Sequence, residues 1–161
     1  MTEITTVPQS SIDADAVTAV AQFLGPVVTD LTALYVDGKQ AHWHVRGTNF
    51  QAIHELLDSV VDHARDYADT AAERVVALGL PLDVRIQSVA EKTTTPKLAA
   101  GFQQSDAIIA QVIAEIDATL VTVRTAIDEL GELDAASQDV AIEIARGLEK
   151  DRWFLFAHLS K

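Results

Sequence analysis

The 161-residue chain has no cysteine, only four prolines and seven glycines, and only 6% aromatic residues. The absence of cysteine excludes disulfides and thiolate metal ligands. Proline and glycine most often interrupt regular structure, so their scarcity favours a few long elements over many short strands. Because 48% of the residues are hydrophobic, the core must consist mainly of Ala, Val, Leu and Ile, and the length suits one domain.

Signals for export or membrane insertion are also missing. The first residues, MTEITTVPQSSIDAD, contain neither the basic region nor the apolar run of a signal peptide. No stretch reaches the roughly 18 consecutive apolar residues that a membrane helix needs. We therefore expect a soluble, cytoplasmic protein with no membrane partner.

Positive charge is scarce as well. The formal net charge is −12, and no Lys or Arg precedes Lys39. Such an excess of carboxylates is consistent with simple solubility and, alternatively, with attraction of cations. It disfavours binding to DNA, because the affinity of proteins for DNA comes largely from Lys and Arg side chains that neutralise phosphates.

What the chain does contain is apolar residues at the three-and-four spacing of amphipathic helices. This spacing predicts four long helices, with a long link at residues 82–100 that includes a short helix. The Gly25-Pro26 pair inside the first helix should kink it or remove a hydrogen bond. The predicted helices run from Ser11 or Asp13 towards Lys39, from Thr48 or Asn49 to Leu78, from Phe102 to Leu130 and from Ala135 to His158.

Four long helices with one long link after the second have the outline of an all-α, ferritin-like four-helix bundle, since an up-down-down-up order requires such a link. We assign residues 13–161 to this single domain and residues 1–12 to a flexible N-terminal tail. The sequence has no internal repeat and no low-complexity segment that would indicate another organisation.

The second helix carries two pairs of potential metal ligands. His54 and Asp58 are four residues apart and share one face, and so do Asp69 and Glu73. The spacing from Asp58 to Asp69 is close to three helical turns, so all four side chains lie on one stripe. The centres of the two pairs are about 22 Å apart along the helix axis, whereas ligand atoms lie roughly 2.0–2.2 Å from a metal ion.

Two pairs so far apart in one chain cannot hold the same ion. If two copies of this helix pack antiparallel about a two-fold axis, His54 and Asp58 of one copy face Asp69 and Glu73 of the other, and two identical sites form. A ferritin-type site inside one subunit would use a Glu-x-x-His pair, and no Glu in the sequence has a His three residues later. The alternative interpretation is that such pairs only mark a solvated helix face.

Three segments carry a resemblance to a known family. QAHWHVRGTNFQAIHELLD (40–58), YADTAAERVVALG (67–79) and LEKDRWFLFAHL (148–159) resemble the Dps family of ferritin-like mini-ferritins, which form hollow dodecamers. The likeness covers nearly the whole chain beyond the first dozen residues. It implies a homododecamer built on two-fold dimers, whereas the spacing of the ligand pairs supports only the dimer.

The resemblance also implies the set of metal ligands, which are the catalytic residues. His42, from the His-Trp pair, joins His54 and Asp58 as the ligands from one subunit. Asp69 and Glu73 are implied to come from its two-fold partner. This division between subunits is the one that the spacing along the second helix suggests.

The reaction that the resemblance implies is oxidation of Fe(II), preferably by hydrogen peroxide, with iron stored as ferric mineral. Imidazole and carboxylate ligands suit both Fe(II) and Fe(III). Trp43 is implied to lie beside the site and to take up oxidising equivalents, and the alternative for Trp43 is ordinary core packing.

Four further residues receive less direct assignments. Asp134 and Asp139 align with the acidic lining of the family's three-fold iron-entry pore, although acidic residues near a helix start also interact favourably with the helix dipole. His44 and His63 match no ligand of the family, and we expect both to be surface histidines.

Two other functions compete with that of an iron-storing ferroxidase. Family members that compact DNA commonly use tails rich in Lys or Arg, but here the N-terminal tail has no basic residue and the C-terminus adds only Lys161. We therefore expect weak or no DNA binding at physiological salt. A metal-dependent hydrolase could use the same ligands, because a bound divalent ion can activate water.

Overall fold

A computed structural model describes residues 12–159 of the chain. It confirms the all-α, ferritin-like architecture, with four long helices and one short helix in the link between the second and the third. The predicted tail lies almost entirely outside the described residues. The elements are α1 (Ala14–His44), β1 (Val45–Arg46), α2 (Phe50–Ala77), α3 (Ile86–Lys92), β2 (Gln103–Gln104), α4 (Ser105–Leu130) and α5 (Ala135–Ala157).

Local chemistry explains where α1 begins and where α2 ends. The Asp13 side chain accepts a hydrogen bond from the amide of Asp15 at 2.8 Å, so Asp13 caps α1 as predicted. α2 ends at Ala77, and two residues later the chain turns at Gly79, whose φ of 96° is accessible to glycine without strain. The amides of Gly79 and Leu80 then donate to the carbonyls of Val76 and Val75, which closes the helix in a Schellman motif.

One expectation about α1 needs correction. The helix continues past Lys39 to His44, which places His42 within its last turn. It also runs through Pro26 without ending there. Proline removes one backbone donor, but the flanking Leu24 and Val27 are fully buried, and this packing on both sides of Pro26 stabilises a continuous helix.

The core lies between the apolar faces of the four long helices. α1 packs mainly on α2 and α4, and α5 packs on α4 and α2. By length and composition alone, α1 could also span a membrane, but its large apolar side chains point into the bundle. The largest fully buried side chains are those of Leu24, Leu31, Leu34, Ile53, Leu57, Ile108, Ile109, Ile116, Leu130, Ile144, Leu148 and Leu155.

The long link between α2 and α4 is fastened to the bundle by one buried carboxylate. Asp30 of α1 is 1% exposed, and its two oxygens accept four hydrogen bonds. The donors are the Thr93 hydroxyl (2.9 Å), the Thr94 amide (2.8 Å), the Thr94 hydroxyl (2.7 Å) and the Thr122 hydroxyl of α4 (2.7 Å). Asp30 therefore ties the link to both α1 and α4.

Replacing Asp30 should reveal how much this anchor contributes to stability. We expect Asp30→Ala to lower the free energy of unfolding by about 2–4 kcal/mol, because it removes the acceptor of four part-buried hydrogen bonds at once. Asp30→Asn should cost less, because the threonine hydroxyls can rotate and accept a hydrogen bond from the NH₂ group of the new asparagine. The backbone N–H of Thr94 can only donate, so it still needs the remaining side-chain oxygen. Urea unfolding at a fixed subunit concentration measures both. Asp128→Asn, at an exposed position of α4, is the control, and equal stability of all variants would contradict the anchor.

Candidate metal centre

The end of α1 lies against the first half of α2, and this brings His42 and His54 together. His42 is 6% exposed. Its Nδ1 lies 2.8 Å from the backbone carbonyl oxygen of His54, and Nδ1 of His54 lies 2.9 Å from the carbonyl oxygen of His42. The two rings stack with centroids 3.6 Å apart and planes inclined by 21°.

This reciprocal arrangement determines which ring nitrogens are available to a metal. A carbonyl oxygen can only accept, so both Nδ1 atoms must carry hydrogen and donate. In the neutral rings, both Nε2 atoms therefore keep their lone pairs. Histidines that ligate metals typically donate their other ring N–H to a carbonyl or carboxylate in this manner.

Asp58 lies one helical turn after His54 and next to His42. Its Oδ1 is 3.3 Å from Nδ1 of His42 and also contacts Nζ of Lys39. The hydrogen bond from Lys39 holds the pKa of Asp58 below its usual range against a smaller desolvation effect, and the two histidines add to the lowering. Asp58 is therefore an ionised carboxylate at neutral pH. The stabilisation from its ion pair is present above the unfolded-state pKa and is lost as the pH falls through the lowered one.

Asp69 and Glu73 lie further along α2, and both are exposed. Asp69 borders a groove of about 360 Å³, together with Tyr35 and Arg65. Within residues 12–159 of one chain, no three His, Asp or Glu side chains converge closely enough to hold a metal ion. The two ligand pairs are thus separate in a single chain, as their spacing predicts, and their meeting across a two-fold axis stays a prediction.

Trp43 is not a core residue. Its side chain is 61% exposed, so the alternative of ordinary core packing was wrong. It borders a groove of about 550 Å³ together with Tyr35, Lys39, Asp62 and Arg65. Because Lys39 contacts Asp58, Trp43 shares a groove with the immediate neighbour of a predicted ligand.

His44 and His63, which match no predicted ligand, have structural contacts. His44 is half-buried, donates from Nδ1 to the Gln40 carbonyl at 2.9 Å and lies 5.2 Å from the ring of Phe102. His63 is exposed, as expected, yet its Nδ1 lies 2.9 Å from the buried carboxylate of Asp151 on α5. Burial raises the pKa of Asp151 even though His63 opposes the shift.

Asp134 has a clear role within the single chain. It caps α5 by accepting from the amide of Ser137 at 3.1 Å, and it forms an ion pair with Arg74 of α2 at 2.6 Å. Burial pushes the pKa of Asp134 upwards, but the hydrogen bonds from Ser137 and Arg74 outweigh it and lower the pKa overall. Asp139 is exposed near the start of α5. A role for either residue in a pore would need further subunits and stays a prediction.

Lys39 was missed at the sequence level. It lies three residues before His42, on the same face of α1, but nothing in the sequence shows that it reaches Asp58, nineteen residues away. A lysine at that spacing from a histidine is also common on any solvated helix.

Comparison with known proteins places this fold in a definite class. Residues 22–161 match the ferritin-like domain family. The chain superposes on the structure of Dps from Microbacterium arborescens in the high iron form with a TM-score of 0.91 and 60% identity, covering 95% of this chain and 99% of that one.

Sequence relatives narrow the class further. The chain is 32% identical over 140 residues to the DNA protection during starvation protein of Mycolicibacterium smegmatis, covering 87% of this chain and 76% of the relative. It is equally similar to the fine tangled pili major subunit of Haemophilus ducreyi, covering 87% and 74%. The chain belongs to the Dps family.

The contact between Lys39 and Asp58 predicts competition with metal ions. A cation that binds Asp58 must displace the Lys39 ammonium, so Lys39→Met should tighten the binding of Co²⁺, a redox-stable substitute for Fe(II), by up to about fivefold, as expected for a partly exposed ion pair. Lys39→Arg keeps the charge and the hydrogen bond and serves as the control. Isothermal titration of the intact assembly measures the affinities. Weaker Co²⁺ binding by Lys39→Met would show that Lys39 supports the site instead of competing for it.

Proposed function

We propose that the protein is a ferroxidase and iron store that oxidises Fe(II), preferably with hydrogen peroxide, at a site between two-fold related subunits. Membership of the Dps family supports iron storage and protection during starvation. The observation that carries the proposal is the reciprocal pairing of His42 with His54, because it leaves the Nε2 lone pair of both rings free, while an ionised Asp58 lies 3.3 Å from Nδ1 of His42. The product would be retained as ferric mineral inside a homododecamer.

Each site would draw on two subunits. One subunit contributes His42, His54 and Asp58, and Asp69 and Glu73 come from the partner. In this arrangement, two imidazoles and three carboxylates surround the iron. The three negative charges stabilise Fe(III) more than Fe(II) by Coulomb attraction, and so favour the oxidation.

The overall reaction balances with two ferrous ions and one peroxide. Each Fe(II) loses one electron, the O–O bond of hydrogen peroxide accepts both and breaks, and two protons complete two molecules of water. Paired oxidation of this kind avoids release of a hydroxyl radical. When only one Fe(II) is present, Trp43 would supply the second electron, a proposal supported by its exposed ring at the border of the groove that Lys39 also lines.

The sequence and the relatives support a soluble protein. The relatives named above are bacterial, and we propose a cytoplasmic location, where Fe(II) and peroxide can meet. We also keep Asp134 and Asp139 as proposed contributors to an iron-entry pore between three subunits. In such a pore, the carboxylate of Asp134 would be engaged by Arg74. Asp139, which is exposed, would then be the carboxylate more available to Fe(II).

The site assignment predicts the effect of removing one ligand from each half. Asp58→Ala/Glu73→Ala should reduce peroxide-driven oxidation of Fe(II) to the protein-free rate while the assembly keeps its size. Asp62→Ala/Asp66→Ala removes two exposed carboxylates from the same helix and should leave the rate within about twofold, since no ligand is lost.

The readout for this comparison is stopped-flow absorbance of Fe(III), with peroxide consumed at one per two iron atoms. The consumption of peroxide also separates a ferroxidase from a hydrolase. A hydrolase that used the same ligands would lose its activity in the Asp58→Ala/Glu73→Ala variant too, but the natural protein would then consume no peroxide. Undiminished oxidation by Asp58→Ala/Glu73→Ala would overturn the assignment.

DNA binding should be weak, although relatives are named for DNA protection. The net charge of −12 and the absence of Lys or Arg before Lys39 provide few contacts for phosphates. In a gel shift at about 150 mM salt, we expect no stable complex with linear duplex DNA. A variant with six lysines appended at the N-terminus is the positive control. Tight binding by the natural sequence would contradict this prediction.

A further inference from the structure

A second pair of carboxylates lies inside the subunit, away from the predicted interface site. Glu115 of α4 is 1% exposed. Its two carboxyl oxygens are the only buried side-chain polar atoms without a hydrogen-bond partner in the part of the chain that the structure describes. Buried polar groups in native proteins are nearly always paired, so an unpaired carboxyl group indicates a missing ligand, ion or water.

The register of α1 against α4 identifies the residue opposite Glu115. Asp30 of α1 accepts a hydrogen bond from Thr122 of α4, and the two helices are antiparallel. Seven residues, about two helical turns, lead from Asp30 to Asp37 along α1, and the same step leads back from Thr122 to Glu115 along α4. Asp37 and Glu115 therefore lie opposite each other, two helical turns further along the contact between α1 and α4, which we call the seam. The charge of Asp37 acts on Glu115.

Asp30 and Glu115 differ in the hydrogen-bond donors that surround them. Asp30 has four hydrogen-bond donors, whereas Glu115 has none. The neighbouring polar side chains on α4 are already used: Thr119 donates to the backbone carbonyl of Glu115 at 2.9 Å, and Gln111 bonds Gln103 and the Ala99 amide. Neither Thr119 nor Gln111 therefore has a donor to spare for Glu115.

Asp37 and Glu115 also lack a positively charged partner among the described residues. Within residues 12–159, neither Asp37 nor Glu115 has a Lys, Arg or His within ion-pair distance, although Lys97 of the link borders the same groove as Asp37. Burial, reinforced by the charge of Asp37, raises the pKa of Glu115 to about 9, and burial also raises the pKa of Asp37. At neutral pH the pair therefore retains a proton in place of a counterion.

Two facing carboxyl groups in a poorly solvated seam can be neutralised by a metal ion as well as by a proton. Ligand sets made only of oxygen suit hard divalent ions, which carboxylates bind after losing their protons. A groove of about 480 Å³ between α1, α3 and the link is bordered by Asp37, the less buried member of the pair.

We propose that Asp37 and Glu115 form a second cation site, inside each subunit, that takes a hard divalent ion such as Mn²⁺ or Fe²⁺ in exchange for a proton. The site does not depend on the interface pairs, because its residues lie on α1 and α4 and none of them belongs to the predicted ligands of the ferroxidase site. It would let a subunit hold an ion even where the interface site is disabled.

Counting bound Mn²⁺ tests this proposal. The parent is the intact assembly of Asp58→Ala/Glu73→Ala, in which the interface site lacks ligands from both halves, and the probe is Mn²⁺ alone, followed by electron paramagnetic resonance of the free ion at pH 7. We expect the parent to bind about one Mn²⁺ per subunit more than the same protein with Glu115→Gln. Asp37→Asn should weaken this binding at least about tenfold. Glu91→Gln, an exposed carboxylate on α3, should change nothing.

Proton release provides a second readout, which a purely structural acid would not give. Binding to the parent at pH 7 should release about one proton per Mn²⁺, and no proton should appear with Glu115→Gln. If Glu115→Gln fails to assemble on a sizing column, Glu115→Leu, which is apolar and of similar volume, replaces it. Equal Mn²⁺ binding with and without Glu115, or no binding by the parent at all, would overturn the proposal and leave Glu115 as a buried structural acid.

Discussion

Two histidines that hydrogen-bond each other's backbone set the geometry on which the functional account depends. The pairing of His42 with His54 joins the last turn of α1 to the second turn of α2, and so fixes the register of the two helices. It also fixes the tautomer of both rings, because each Nδ1 must donate to a carbonyl. Without these two bonds, the rings would be free to rotate, and Asp58 would have no ordered imidazole beside it.

The position of Asp69 and Glu73 adds a second constraint. A straight helix cannot bring side chains about 22 Å apart onto one ion, so a single subunit holds two half-sites, neither of which is complete. In the proposed function, iron oxidation therefore requires assembly. Any ion bound at the interface would in turn stabilise the dimer by mass action, because it binds only the associated form.

Periodicity was sufficient to predict the helices. The three-and-four spacing of apolar residues predicted four long helices and the link. It placed the start of α1 at Ser11 or Asp13 and the end of α2 at Leu78, and the structure has the cap at Asp13 and the end of α2 at Ala77. The bound that failed depends on tertiary packing. α1 continues beyond Lys39 to His44 because Ala41 and His42 are buried, and local propensity cannot report such burial.

Long-range contacts explain what the sequence could not reveal. Lys39 reaches Asp58 across 19 residues, and Asp30 meets Thr122 across 92. No spacing rule connects such residues, and Glu115 reads as an ordinary helical carboxylate until its burial is known. The candidate ligands were visible for the opposite reason, because His54, Asp58, Asp69 and Glu73 share a stripe on one helix. Their joint action across an interface stays a prediction.

The most direct test of that joint action is complementation between two inactive subunits. Asp58→Ala and Glu73→Ala chains, each assembled alone, should lack peroxide-driven oxidation of Fe(II). When the two are unfolded together and reassembled in equal amounts, half of the two-fold pairs are mixed, and each mixed pair regains one complete site. The account predicts recovery of about a quarter of the natural activity, by the random pairing of a two-fold dimer. Recovery no greater than that of either variant alone would show that the ligands do not come from two subunits, and would contradict the account.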